Sequence, residues 1–96
     1  MADVTIIAKI VAQQNRIAAV KAELLRLVTP TRREEGCITY NLHQDNQNPA
    51  LFIFYETWES TAALEKHIVS DHYKAYAAAL DGKLEDKVVN RMTLIE

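Results

Sequence analysis

Leu51-Phe52-Ile53-Phe54-Tyr55-Glu56-Thr57-Trp58-Glu59-Ser60 is the stretch on which the fold turns. It contains neither Gly nor Pro, is rich in aromatic and β-branched residues, and reads as a strand from Leu51 to Glu59. Side chains alternate along a strand, so Phe52, Phe54, Glu56 and Trp58 share one face. A face carrying the bulky rings is where a small domain builds its core, so helices are expected to cover it. Upstream, Asn46-Gln47-Asn48-Pro49 is turn chemistry. Cys37 to Asp45 alternates before it, with Ile38, Tyr40 and Leu42 on one side and Thr39, Asn41 and His43 on the other. The two strands are expected to pair as an antiparallel hairpin. Downstream, Ser60 is an N-cap for a helix with Leu64, His67 and Ile68 on its buried side. Ser70-Asp71 is a second cap, and a further helical piece runs from His72 to Leu80 with Tyr73, Tyr76 and Ala77 at helical spacing. Asp81-Gly82 ends it.

The rest of the chain fits around this centre. Residues 3–12 are β-branched and free of Gly and Pro, with Ile6, Ala8 and Ile10 on one face and Ile7 and Val11 on the other. Gln13-Gln14-Asn15 supplies turn and cap chemistry, and Ile17, Val20, Leu24, Leu27 and Val28 follow as the apolar stripe of a helix. Pro30 is expected to stop or kink that helix, and Gly36 to close the Arg-Arg-Glu-Glu segment. Lys87 to Glu96 is the last strand. The order β-α-β-β-α-β is the split βαβ arrangement of a ferredoxin-like α+β fold with a four-stranded antiparallel sheet. Right-handed crossovers place its helices on one face. The other face would leave Ile7, Val11, Ile53, Tyr55 and either Val88 or Val89 in water, a patch larger than monomers usually tolerate, which points to a homodimer packed sheet on sheet. His43, on the side opposite Ile38, is expected to pack or hydrogen-bond at that interface.

Composition narrows the classes of function. Ninety-six residues make one domain, 1–96, and 49% hydrophobic with 25% charged is an ordinary globular balance. Eleven Lys and Arg against 13 Asp and Glu give a net charge of −2, and no stretch is basic enough to bind nucleic acid. No apolar run approaches the roughly 18–20 residues of a membrane helix. Cys37 is the only cysteine, so no intrachain disulfide forms, and Met-Ala-Asp-Val-Thr-Ile-Ile lacks the features of a leader. A reducing cytoplasm is the expected location. Two glycines, at 36 and 82, leave no phosphate-cradling loop and disfavour a nucleotide or flavin cofactor.

Chemistry concentrates at Glu56 and His67. A carboxylate between Phe54 and Trp58 is costly to bury without a partner, and His67, on the buried side of the next helix, is the best candidate. Two readings stand open: a strand-end Glu reaching solvent beside a core histidine, and a carboxylate that orients an imidazole as a base. Tyr40, Phe54, Trp58, Leu64 and Tyr73 are candidates to line a small pocket suited to a flat, mostly apolar ligand. His72 reads as a cap-region or cavity-rim residue. Cys37 opens a strand and reads as a structural thiol. His67 and Asp71 have chelating spacing on a continuous helix, but the break at Ser70 spoils it, and no metal site is expected.

Glu56-Thr57-Trp58-Glu59-Ser60, Leu64-Glu65-Lys66-His67, Ser70-Asp71-His72 and Tyr76 together resemble the signature of the antibiotic biosynthesis monooxygenase domain family. Gly36-Cys37-Ile38-Thr39-Tyr40 and the turn from Asp45 to Pro49 match the same pattern, and the resemblance covers essentially the whole chain. It implies a dimeric ferredoxin-like α+β barrel. It also implies oxidation of small electron-rich aromatics such as quinols by O2 without a bound cofactor. His67 would then be the base, oriented by Glu56, with Trp58, Phe54, Tyr40 and Tyr73 clamping the ring. Ile10, His67 and Ala77 stand where a haem-degrading branch has its ligand and pocket residues, and Ala77 cannot be an axial ligand. A branch that isomerises a phosphorylated sugar would need cations at the pocket, for which Arg91 and Lys74 are the candidates. A dimeric protein that binds or sequesters small aromatics without turnover is the remaining alternative.

Overall fold

The β-branched run at the head of the chain forms β1 (Val4–Ala12), and a 3-10 turn at Gln14–Arg16 leads into α1 (Ile17–Arg32). The hairpin follows as β2 (Cys37–Gln44) and β3 (Leu51–Trp58), then α2 (Thr61–Ile68), α3 (Asp71–Leu80) and β4 (Leu84–Met92). This computed structural model describes residues 3–96; Met1 and Ala2, the first residues of the run searched for a leader, lie outside the described residues. All four strands pair antiparallel in the order β2-β3-β1-β4, the ferredoxin-like arrangement expected from the element order.

Alternation decides which residues enter the core. Ile6, Ala8 and Ile10 of β1 and Phe52, Phe54 and Trp58 of β3 are buried beneath the helices. Val20, Leu24 and Leu27 of α1 and Leu64 of α2 close over them. Burying each of the large rings contributes about 2–3 kcal/mol. Ser60 Oγ accepts the Ala63 amide at 3.1 Å, which starts α2. Ser70 Oγ accepts the Tyr73 amide at 3.3 Å and donates to the His67 carbonyl at 2.6 Å, so one hydroxyl starts α3 and fixes it to the end of α2. The side-chain cap expected near Gln13 is not made.

Four local expectations change. Pro30 lies inside α1 without ending it, since only one backbone bond is lost in the last turn. The chain then tightens through Arg33 N–H to Pro30 O, 3.3 Å, and Glu34 N–H to Thr31 O, 3.0 Å. In β2 the register shifts between Cys37 and Thr39, so Cys37 opposes Trp58, Thr39 opposes Thr57, and Ile38 is the extra residue of a bulge. Ile38 is therefore exposed, and Cys37 rather than Ile38 shares the face of Tyr40. The last strand begins at Leu84 and ends at Met92, leaving Leu94 and Ile95 in solvent. Ile68 faces the same side of α2 as Leu64 and His67 but is 40% exposed rather than buried.

The face away from the helices carries Ile7, Val11 and Ile53, half-buried, with Tyr55 and Val88 exposed. Register settles the choice between the two valines: Val89 opposes Ala8 on the helix side, and Val88 opposes Lys9 on the open side. His43 opposes Ile53 on this open face and is exposed.

Gly36 is held at φ +88°, and a Cβ there would lie 2.5 Å from Ala63 Cβ; Gly82 has φ +75° with open space around it. Both positions favour glycine by conformation, and only Gly36 also needs the space. Gly36→Ala is expected to cost more stability than Gly82→Ala, which loses about 1 kcal/mol from backbone strain alone. Urea unfolding of both variants checks this; equal losses would show that the approach of residue 36 to α2 is not tight.

Candidate active site

Glu34 sits in the short linker between α1 and β2, and the tight turns after Pro30 together with the close approach at Gly36 bring it against α2 and α3. Its Oε2 lies 2.7 Å from His67 Nδ1 and 2.7 Å from His72 Nε2. A carboxylate only accepts, so both imidazoles donate to the same oxygen. His67 thereby carries its proton on Nδ1, and its lone pair is left on Nε2. The His67 ring is 2% exposed and packs on the Trp58 rings at 4.7 Å, with Tyr73 edge-on at 5.0 Å and Tyr40 at 5.6 Å. Burial lowers its pKa below the usual imidazole value, opposed by the hydrogen bond to Glu34. Burial thus favours the neutral ring over the imidazolium.

Glu56 is buried as expected, but its partner is not His67. Trp58 Nε1–H donates to Glu56 Oε1 at 2.9 Å along the same face of β3. Burial pushes the Glu56 carboxyl up to about 7, the indole hydrogen bond and the Lys87 charge opposing the shift. Orientation of His67 belongs to Glu34, which no local pattern marks: it lies 33 residues upstream of His67, in a charged linker. Cys37 is raised to about 11 by burial first and by Glu34 and Glu56 second, a poor nucleophile at neutral pH.

Between the sheet and α2 and α3 is a cavity of about 210 Å³. Tyr40, Phe54, Leu64 and Tyr73 line it, with Glu56 and His67 supplying polarity. A dry cavity of about 150 Å³ holds benzene, so this one has room for a single substituted ring. Two residues expected at the ligand stand elsewhere. Trp58 is fully buried behind His67 and does not line the cavity; His72 faces a separate hollow beside α1 and reaches the site only through Glu34. Tyr76, Ile6, Ala8, Ile68 and three β4 residues, Lys87, Val89 and Arg91, complete the lining. Lys74 is exposed on α3 and is not part of it.

Residues 3–79 match the family model described as antibiotic biosynthesis monooxygenase. The chain belongs to the antibiotic biosynthesis monooxygenase family. Among curated relatives it is 36% identical over 75 residues to "Putative monooxygenase Rv0793" of Mycobacterium tuberculosis, covering 78% of this chain and 73% of that one. It is 33% identical over 88 residues to "Probable quinol monooxygenase YgiN" of Escherichia coli, covering 81% and 85%. Among solved structures, PA3566 from Pseudomonas aeruginosa superimposes with a TM-score of 0.95 at 32% identity, covering 100% of this chain and 97% of that one. The Rv0793 structure gives 0.92 at 28% identity, covering 99% and 97%.

Within this antibiotic biosynthesis monooxygenase fold, Glu34, His67 and His72 form a cluster that sequence spacing did not flag. Their donor atoms all lie within 4.8 Å of one another, and two imidazoles with one carboxylate are a set that could hold a divalent metal. The two 2.7 Å contacts satisfy these atoms as hydrogen bonds already, so a metal would have to displace both. His67 and Asp71, the pair considered from spacing, lie on separate helices.

A carboxyl whose pKa is higher in the folded than in the unfolded chain binds its proton more tightly when folded. Its contribution therefore falls as pH rises from about 4.5 to about 7 and is constant above that. The loss amounts to about 3 kcal/mol. Glu56→Gln keeps an acceptor for Trp58 and removes the titration. Relative to the parent it is expected to gain stability between pH 5 and pH 8 in urea unfolding; a gap independent of pH would place the titration elsewhere.

Proposed function

We propose that this protein is a cofactor-independent monooxygenase that oxidises small electron-rich aromatics of the quinol type with O2. The observation that carries this reading is the Glu34–His67 hydrogen bond beside an aromatic cavity, which leaves Nε2 of a neutral imidazole to take a proton. His67 Nε2 removes a hydroxyl proton, and the resulting phenolate donates an electron to O2. Recombination forms the new C–O bond; with hydroquinone, one oxygen atom enters the ring to give hydroxybenzoquinone and the other leaves as water. Tyr40, Phe54, Leu64 and Tyr73 hold the ring and exclude solvent. Glu56, its carboxyl pushed up to about 7 by burial, hydrogen-bonds a ring oxygen in this reading. Trp58 supports His67 and Glu56 from behind, and His72 shares Glu34 with His67.

The same reading includes a homodimer and a cytoplasmic setting. The open face with Ile7, Ile53, Tyr55 and Val88 supports a second copy packed sheet on sheet. One observation favours a second reading, isomerisation of a small anionic metabolite by the same base: Arg91 lines the cavity. That chemistry consumes no O2.

Oxygen uptake by metal-stripped protein with a hydroquinone panel, corrected for autoxidation, tests the proposal. Enzyme-dependent uptake is expected, reduced about 10²–10⁴-fold in His67→Ala. Glu34→Gln is expected to lower turnover while retaining binding. Uptake no faster than the buffer blank, or full turnover in His67→Ala, would overturn it. Light scattering should give twice the chain mass, and Tyr55→Asp with Val88→Asp should shift it toward the monomer; a monomeric parent would contradict the sheet-on-sheet dimer.

A further inference from the structure

One wall of the cavity is formed by β4, and that wall is cationic. Lys87 and Arg91 flank Val89 on the helix face of the edge strand, and all three line the cavity. Among the described residues neither cation forms an ion pair. Lys87 Nζ rests over the rings of Tyr76 and Tyr73, 5.0 and 5.6 Å from their centroids, which holds it at the wall. In a chain of net charge −2, two cations without an ion-pair partner on one wall of a mostly aromatic and aliphatic cavity need an explanation.

Register supplies the geometry. Arg91 opposes Ile6, Ile6 opposes Glu56, and Glu56 opposes Tyr40, so the four residues form one row across the sheet on the helix face. Neighbouring strands lie about 4.8 Å apart, which puts Arg91 and Glu56 two strand spacings, about 10 Å, from each other at the backbone. The side chain between them is Ile6, beside the small Ala8, and both form part of the cavity lining. A single ring lying on Ile6 thus sits between the acid-base end, Glu56 and His67, and Arg91 on the β4 wall. A guanidinium fork matches a carboxylate with two parallel hydrogen bonds, and a carboxylate is ionised at neutral pH.

We infer that the ligand is an aromatic acid: a hydroxylated ring bound against Ile6 with its carboxylate on Arg91, in the field of Lys87. This rests on the aromatic-site reading above and narrows its substrate class. The same ring without the charge leaves Arg91 unused and is bound more weakly.

Calorimetric titration under anaerobic conditions separates binding from turnover. The probes are 2,5-dihydroxyphenylacetate and its amide, which have similar size and differ in charge. The acid is expected to bind at least about tenfold more tightly. In Arg91→Gln the ratio of the two dissociation constants should fall to about one, and in Arg91→Lys it should take an intermediate value. Unfolding midpoints of both variants confirm that they are folded. Equal constants in the parent, or a preference for the acid that survives Arg91→Gln, would overturn the inference and leave the aromatic-site reading standing. Binding of neither probe would overturn both.

Discussion

One carboxylate oxygen holds the site together. Glu34 Oε2 accepts from imidazoles on two different helices, each at 2.7 Å, and each such charge-assisted bond contributes about 1.5–3 kcal/mol. The rest of the arrangement serves that contact. Arg32 Nε donates to the Tyr40 carbonyl at 3.0 Å and fixes the end of α1 to β2. Gly36 permits the linker to approach α2, and its carbonyl accepts the Glu59 amide at 2.9 Å, which ties the linker to the end of β3. Ser70 couples the end of α2 to the start of α3, so that His67 and His72 reach the same oxygen from opposite sides of the helix break.

Burial then acts on two titrating groups in opposite chemical senses and with one result. It disfavours the imidazolium of His67 and the carboxylate of Glu56, so both tend toward neutrality inside the aromatic cavity. A neutral imidazole accepts a proton, while a protonated carboxyl donates a hydrogen bond. An acid and a base are therefore both available at neutral pH in a space large enough for one ring. Tyr40 and Tyr73 have their phenol pKa values raised by the same burial and stay neutral, which keeps the walls uncharged.

Much of this was legible in the residues. Period-two alternation in β3 correctly put Phe52, Phe54, Glu56 and Trp58 beneath the helices, and the caps at Ser60 and Ser70 marked where α2 and α3 begin. The partner of Glu56 was not legible. A carboxylate on a strand and an imidazole on the next helix suggested a pair, yet Trp58, two residues along the same face, already satisfies Glu56. Glu34 carried no local signal because its role depends on turns made after Pro30 and on a contact across 33 residues. The bulge at Ile38 shifted the face of one residue without a Gly or Pro to announce it. Register, invisible to composition, is also what put Arg91 rather than Lys74 at the cavity.

The measurement that bears most directly on the bridged carboxylate is the tautomer of His67, read from the imidazole ¹⁵N shifts and ring-proton correlations near pH 7.5. A neutral ring protonated at Nδ1, with a bare Nε2, is expected, and this preference should weaken in Glu34→Gln. A ring protonated at Nε2, or one whose tautomer is indifferent to Glu34, would contradict the assignment of His67 as a base held by Glu34.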